Sequence, residues 1–258
     1  MNAPTLLLAG VGVVITRPRA AAETLAATLA AAGARPFVFP ALAIEPPADA
    51  GALDASLAQL AECDVAIFVS QNAVEQGLPA ARRRGPWPSG ARVAAVGEAT
   101  AQALRNSGFA EVISPVGRHD SESLLALDPL KAVGGRKILI FRGEGGRELI
   151  RETLESRGAS VTYVECYRRV RPAGDAAPLL AAWARGEIHA VGVLSAETLE
   201  NFIAMIGSAG EAFLATTTLV VPHEAIAKAA QAHHFARVLV VPPGEGMVSA
   251  LAELRVTP

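Results

Sequence analysis

The chain has 258 residues, 51% of them apolar, and carries 23 Lys and Arg against 25 Asp and Glu for a formal net charge of −2. A balance so close to neutral gives no overall field for nucleic acid or for an anionic membrane surface. Two cysteines (Cys63 and Cys166) and five histidines without ligand spacing exclude a disulfide framework and any recognisable metal motif.

Taken in chain order, residues 6–15 are apolar but lack a basic leader and run straight into Ile15-Thr16-Arg17-Pro18. The pattern reads as a first buried strand rather than a signal peptide. No run is long enough to span a bilayer, so a soluble cytoplasmic protein without membrane or nucleic-acid partners is expected. Short apolar runs then alternate with Ala/Leu-rich stretches. The expected strands are 13–17, 36–40, 65–69, 92–96, 111–113, 137–141, 160–166, 190–194, 218–221 and 237–241. Helices fall between them, for example 19–32, 98–107, 147–157 and 223–233. Pro18 suits a first helical turn, and Gly33 and Gly158 follow helix ends where a left-handed residue is needed. Strands each followed by a helix imply parallel sheets covered on both faces, an α/β fold of flavodoxin-like doubly wound units.

The chain also repeats itself. Residues 13–40 return as 138–165, with Arg17 and Arg142, Glu23 and Glu148, Gly33 and Gly158, and Ser70 and Ser195 all 125 apart. Glu98 and Glu224, and Phe109 and Phe235, are 126 apart. A period this long signals a duplicated domain and not a solenoid. Two such units would create a cleft, the first place to look for function. Residues 40–51 and 167–178 are rich in Pro, Gly and charge at matching points of the two repeats. They mark either two linkers where the chain crosses and returns, or ordinary loops beside a plain split near 134.

In a doubly wound unit the groups just past each strand face the ligand. They are Thr16, Arg17 and Pro18; Ser70, Gln71, Asn72 and Ala73; Gly97 to Thr100; Arg142, Gly143, Glu144, Gly145, Gly146 and Arg147; Ser195; and His223. Small and polar residues at helix N-termini offer backbone N–H groups and a favourable dipole to anions. Ordinary N-capping explains Ser70 or Ser195 singly, whereas six such sites around one cleft point to a ligand rich in negative charge. The run Arg142-Gly143-Glu144-Gly145-Gly146-Arg147-Glu148 is like a glycine phosphate loop but lacks the Lys-Ser/Thr pair, so a tight strand-to-helix turn competes with a nucleotide site. Arg168, Arg169 and Arg171 form a solvated charge run or, on a linker facing the cleft, carboxylate partners. Tyr167 either places its phenol in the cleft or packs beneath the linker. No Ser/His/Asp or Cys/His arrangement supports covalent catalysis.

Residues 15–40, the segments Asp64-Val65-Ala66-Ile67-Phe68-Val69-Ser70-Gln71-Asn72-Ala73-Val74 and Ala94-Ala95-Val96-Gly97-Glu98-Ala99-Thr100-Ala101-Gln102-Ala103-Leu104, and the whole run 139–169 resemble the uroporphyrinogen-III synthase family. The likeness covers nearly the whole chain in order and spacing. Pro222-His223-Glu224-Ala225 departs from the family's hydroxyl-bearing turn, which leaves His223 as a substitute donor. The resemblance implies two flavodoxin-like domains, 1–38 with 171–258 and 42–165, joined by a two-strand linker at 39–41 and 166–170. It implies cyclisation of hydroxymethylbilane, with loss of water and inversion of the last ring, using no metal or organic cofactor. Nothing in the sequence suggests an obligate dimer, and a monomer is expected. Tyr167 matches the position that would protonate the leaving hydroxyl. A two-domain binding protein without catalysis and a nucleotide-dependent transferase are the rival readings.

Overall fold

A computed structural model of the chain describes residues 7–118, 120–241 and 247–252. The chain forms two compact units, one of Met1–Ala43 with Val170–Pro258 and one of Ile44–Arg169. The strands in chain order are β1 (Gly12–Ile15), β2 (Arg35–Val38), β3 (Ala43–Glu45), β4 (Val65–Phe68), β5 (Arg92–Ala95), β6 (Lys137–Gly143), β7 (Ser160–Val170), β8 (Ala190–Gly192), β9 (Thr218–Val221) and β10 (Arg237–Val240). The helices are α1 (Arg19–Ala31), α2 (Ala50–Leu57), α3 (Gln71–Arg84), α4 (Glu98–Asn106), α5 (Ser121–Leu125), α6 (Asp128–Lys131), α7 (Leu149–Ser156), α8 (Ala177–Ala184), α9 (Ala196–Leu214), α10 (Glu224–Ala229) and α11 (Met247–Ala252).

The first unit has a five-stranded sheet in the order β2-β1-β8-β9-β10, every pair parallel. Counted in chain order within the unit this is 2-1-3-4-5, the flavodoxin-like arrangement. The second unit orders its strands β3-β7-β6-β4-β5, with β7–β6, β6–β4 and β4–β5 parallel. If β6 is counted first, β7-β6-β4-β5 repeats the same order, and Ile113, bridged to Ala94 in parallel, stands where a fifth strand would be. The duplicated halves therefore share one topology, with the second unit's strands entered in permuted order. Strands buried on both faces explain the near-continuous apolar runs: β1, β4 and β9 are buried at every residue. Each sheet separates two cores. One pair is built around Leu29 with Val13 and around Trp183 with Phe202, the other around Phe68 with Phe141 and around Leu124 with Ile138.

Several expected boundaries move. The run 111–113 is a single bridge and no strand, because Pro115, two residues on, cannot donate to a continued ladder. Residues 40–51 hold β3 and the start of α2, and β7 continues to Val170 through the stretch expected to be a loop. Pro18 caps α1 in an extended conformation (φ −49°, ψ 144°) instead of sitting in its first turn. The expected helix 223–233 stops at Ala229 and finishes as a 3-10 turn (Ala230–His233), beyond which His234 is left-handed at φ 49°. Gly33 and Gly158 take positive φ after α1 and α7, as helix termination requires.

Candidate functional site

Within the second unit the carboxyl ends of β4, β6 and β7 converge. Ser70 follows β4 and caps α3, its Oγ accepting from the Ala73 N–H at 3.1 Å. Tyr167 lies two strands away on β7, yet its phenol is 3.0 Å from Ser70 Oγ. Two local features make that reach possible. Pairing between β6 and β7 runs in register as far as Arg142 with Glu165, then shifts so that Gly143 faces Tyr167 and Cys166 is extra. Such a bulge re-aims the following side chain. Tyr167 consequently packs with Val164 and Cys166 in the Phe68–Phe141 core and not with Tyr163 on the opposite side. Gly143 then leaves room for the ring, since a Cβ there would lie 2.7 Å from Tyr167 Cε2.

After β6 the chain turns through Gly145 (φ 69°) and Gly146 (φ 111°) before α7 begins at Leu149. Arg142, only 5% exposed, folds back into this turn. It donates to the carbonyls of Gly143 and Gly145, pairs with Glu148 at 3.2 Å and lies 4.3 Å over the Tyr163 ring. Tyr163 in turn donates to Glu148 at 2.7 Å. Burial, with the Glu148 carboxylate accepting its proton, pushes the Tyr163 phenol up to about 12, so it stays a donor. Glu148 is held below the usual carboxylate range, first by the Tyr163 hydroxyl and then by Arg142. The turn is filled by its own arginine, and the Gly145 N–H faces Glu165 at 3.3 Å. An open phosphate cradle is therefore not what this glycine run builds, which removes the support for a nucleotide transferase.

A cavity of about 170 Å³ opens here, lined by Val69, Val96, Ser121, Ile140 and Ile150 together with Tyr163, Tyr167, Arg142, Arg147 and Arg169 around the glycine turn. Arg147 is exposed and has no ion-pair partner among the described residues. Of the expected site residues, the structure brings Ser70, Ala73, Arg142, Gly143, Gly145 and Tyr167 together at this place. Asn72 is half-buried in the first turn of α3, and Glu144 turns away to accept from the Ala48 N–H at 2.6 Å. Gly97 caps α4 and Thr100 is buried in its first turn; neither lines the cavity. Arg147, expected at the strand end, and Arg169, expected either as part of a solvated charge run or as a carboxylate partner, both line the cavity, whereas sequence reading passed over Tyr163. Only the β6–β7 register, with Ile140 opposite Tyr163, could have signalled Tyr163.

The first unit holds the remaining expected residues at its own strand ends. Thr16 is fully buried and donates to the Gly192 carbonyl at 2.7 Å, tying β1 to β8 where the strand order reverses. Arg17 is half-buried without an ion-pair partner among the described residues, and burial alone holds its guanidinium below its ordinary value. Neither Arg17 nor Arg142 is the solvated turn residue that a strand-end arginine suggests. Pro18 caps α1, Ser195 caps α9 by accepting from the Thr198 N–H at 3.1 Å, and His223 caps α10 without a side-chain bond. Arg168 pairs with Glu45 at 2.8 Å, joining β7 to β3.

Residues 23–250 match the family model described as uroporphyrinogen-III synthase HemD. The chain is 35% identical over 221 residues to the uroporphyrinogen-III synthase of Escherichia coli K12, covering 85% of this chain and 90% of that one. Identity to the Salmonella typhimurium LT2 enzyme is 38% over 191 residues, covering 73% and 77%. A solved mutant uroporphyrinogen III synthase from the extremely thermophilic bacterium Thermus thermophilus superposes with a TM-score of 0.61 at 21% identity over 95% of each chain, which shows the shared fold. No described helix is long and apolar enough to cross a membrane. With the doubly wound units and the Tyr167 site in place, and a family match running through nearly all of it, this chain belongs to the uroporphyrinogen-III synthase family.

Proposed function

We propose that this chain performs the reaction its family is named for, closing hydroxymethylbilane to uroporphyrinogen III with loss of water and inversion of the last ring. The observation that carries the site assignment is that Tyr167 lines one cavity with Arg142, Arg147 and Arg169. A volume of about 170 Å³ suits a single substituted ring and not a whole tetrapyrrole, whose pockets run to several hundred Å³. The substrate carries eight carboxylates, and Arg147 offers them an uncommitted guanidinium. Arg142 serves by holding the glycine turn of Gly143, Glu144 and Gly145 in one conformation, which fixes that wall of the cavity. Ser70, Asn72 and Ala73 at the start of α3, and Gly97 and Thr100 at the start of α4, supply helix N-termini to further anionic groups. On the other unit Thr16, Arg17, Pro18, Ser195 and His223 are assigned the same task. Tyr167 is the acid for the departing hydroxyl. The cation left behind is spread over the pyrroles, so no strong protein base is needed.

The same substrate closes without enzyme to the isomer with no inverted ring, which makes orientation the protein's main contribution. We assign the domains as 1–38 with 171–258 and 42–165, joined at 39–41 and 166–170, in a cytoplasmic monomer; light scattering tests the last point. The deciding experiment adds purified protein to hydroxymethylbilane generated in situ and separates the oxidised uroporphyrins by chromatography. Predominance of isomer III is expected. Isomer I alone, from folded protein, would leave a binding protein on the same scaffold.

A further inference from the structure

We propose that Ser70 is a positioning residue that fixes which way the Tyr167 proton points, by relaying the polarity of the α3 N-terminus to the phenol. The inference rests on the reaction proposed above. Ser70 Oγ has one proton to give and two lone pairs to offer. One lone pair is taken by the Ala73 N–H at 3.1 Å. The other contact is Tyr167 Oη at 3.0 Å, where either oxygen can be the donor. These two arrangements have opposite consequences. If Tyr167 donates, its only acidic proton is tied to Ser70 and turned from the cavity. If Ser70 donates, the phenol accepts, and its own proton is free for a ligand.

The surroundings select the second arrangement. α3 runs for 14 residues, so its N-terminus presents a positive end of the macrodipole to the capping oxygen. An oxygen that already accepts from an N–H becomes a stronger donor through its own O–H, as chained hydrogen bonds polarise one another. Among the described residues no other hydrogen-bond partner reaches the phenol. Cys166, next to Tyr167, cannot substitute: its thiol is turned to the Arg142 carbonyl at 3.3 Å, and burial pushes it up to about 12.

The proton inventory closes. The Tyr167 O–H bond breaks and the proton goes to the hydroxyl of the substrate. The C–O bond breaks with its electrons on oxygen, and water leaves. The phenolate so formed faces an azafulvenium cation and keeps the Ser70 hydrogen bond, behind which stands the Ala73 N–H. Ring closure later releases a pyrrole proton, which returns to the phenolate.

A pure capping role and a relay role separate at Ser70→Asp. Aspartate is at least as good an N-cap as serine. As a carboxylate it has no proton to give, and it would take the Tyr167 proton for itself. Steady-state kinetics and isomer ratios are to be measured for wild type, Ser70→Thr, Ser70→Asp, Tyr167→Phe and the double variant. The relay predicts that Ser70→Asp loses about as much kcat as Tyr167→Phe, and that the double variant is no worse in kcat than either single one. Ser70→Thr, which keeps both a cap and a donor, restores kcat to within about threefold of wild type. Should Ser70→Asp fail to fold by circular dichroism, Ser70→Ala carries the same non-additivity test without adding charge. Wild-type kcat in the folded Asp variant, or additive losses in the double variant, would overturn the relay while leaving the reaction standing. A wild type that yields only isomer I would overturn both.

Discussion

A methyl group at residue 143 would lie 2.7 Å from Cε2 and 2.8 Å from Cζ of Tyr167, so the ring crosses the end of β6 only because that position is glycine. Gly143 and Ser70 therefore constrain Tyr167 from two sides, one by space and the other by a hydrogen bond. Two substitutions divide these roles. Tyr167→Phe keeps the ring and deletes the hydroxyl, at a stability cost of about 1 kcal/mol for the lost bond to Ser70. Turnover is expected to fall on the order of 100-fold, the low end for general acid catalysis, because the pyrroles stabilise much of the cation themselves. Gly143→Ala keeps the hydroxyl and displaces the ring, and misplacement by an ångström costs a comparable factor. Stopped-flow assays on folded protein check both, and wild-type turnover in Tyr167→Phe would remove the phenol from the mechanism. At this scale the sequence was partly legible. Strand-end position pointed to Ser70, Arg142 and Gly143 as candidates, whereas Arg142 turning inward onto Glu148 and Tyr163 depends on a side-chain path that no spacing encodes.

Elements with their own apolar pattern were readable, and those made by a neighbour were not. β1, β4 and β9 are buried throughout and announce themselves as apolar runs. β3 has only three residues between prolines, and it exists because β7 extends to Val170 and pairs with it. β1 and β8 illustrate a contact hidden from periodicity that carries a pH dependence. The Gly12 N–H donates to His189 Nδ1 at 2.9 Å, which requires a neutral ring with its proton on Nε2. Burial lowers His189 from its ordinary 6.5, so protonation favours the unfolded chain. Its contribution is complete above about 6.5 and is lost as pH falls from there through the lower folded value. Asp64, held low by the Lys137 N–H and Arg136, and Asp120, held low by Ser123, also lose their contributions on acidification, but below their ordinary 3.8. The windows separate. Urea midpoints at pH 7.5 and 5.0 are expected to drop in wild type and to flatten in His189→Asn, whose amide oxygen can accept from Gly12. Identical pH slopes in the two proteins would exclude His189 as the source.

The repeat offset of 125–126 residues announced two related units, but the path of the chain through them is a matter of strand order, which hydrophobic pattern does not specify. The first unit needs β1 and β2 from one end of the chain and β8, β9 and β10 from the other. The second needs a single continuous segment, with β3 and β7, its first and last strands, side by side. Both of its cores, around Phe68 with Phe141 and around Leu124 with Ile138, draw only on residues between Ile44 and Tyr167. The permuted strand order thus makes one unit contiguous and the other discontinuous, with different consequences when the chain is cut. A fragment spanning 42–171 retains every strand, both cores and the Ser70–Tyr167 bond, and is expected to unfold in urea as one cooperative transition. Its slope should be about half that of the full chain, in keeping with the surface it exposes. Segment 1–41 alone keeps β1 and β2 without β8, so the face of β1 that pairs with β8 has no partner, and it is expected to show no cooperative transition. Circular dichroism and urea titration of the two fragments decide the matter. A non-cooperative 42–171 fragment would mean that the second unit depends on chain outside it, despite holding a complete sheet and core of its own.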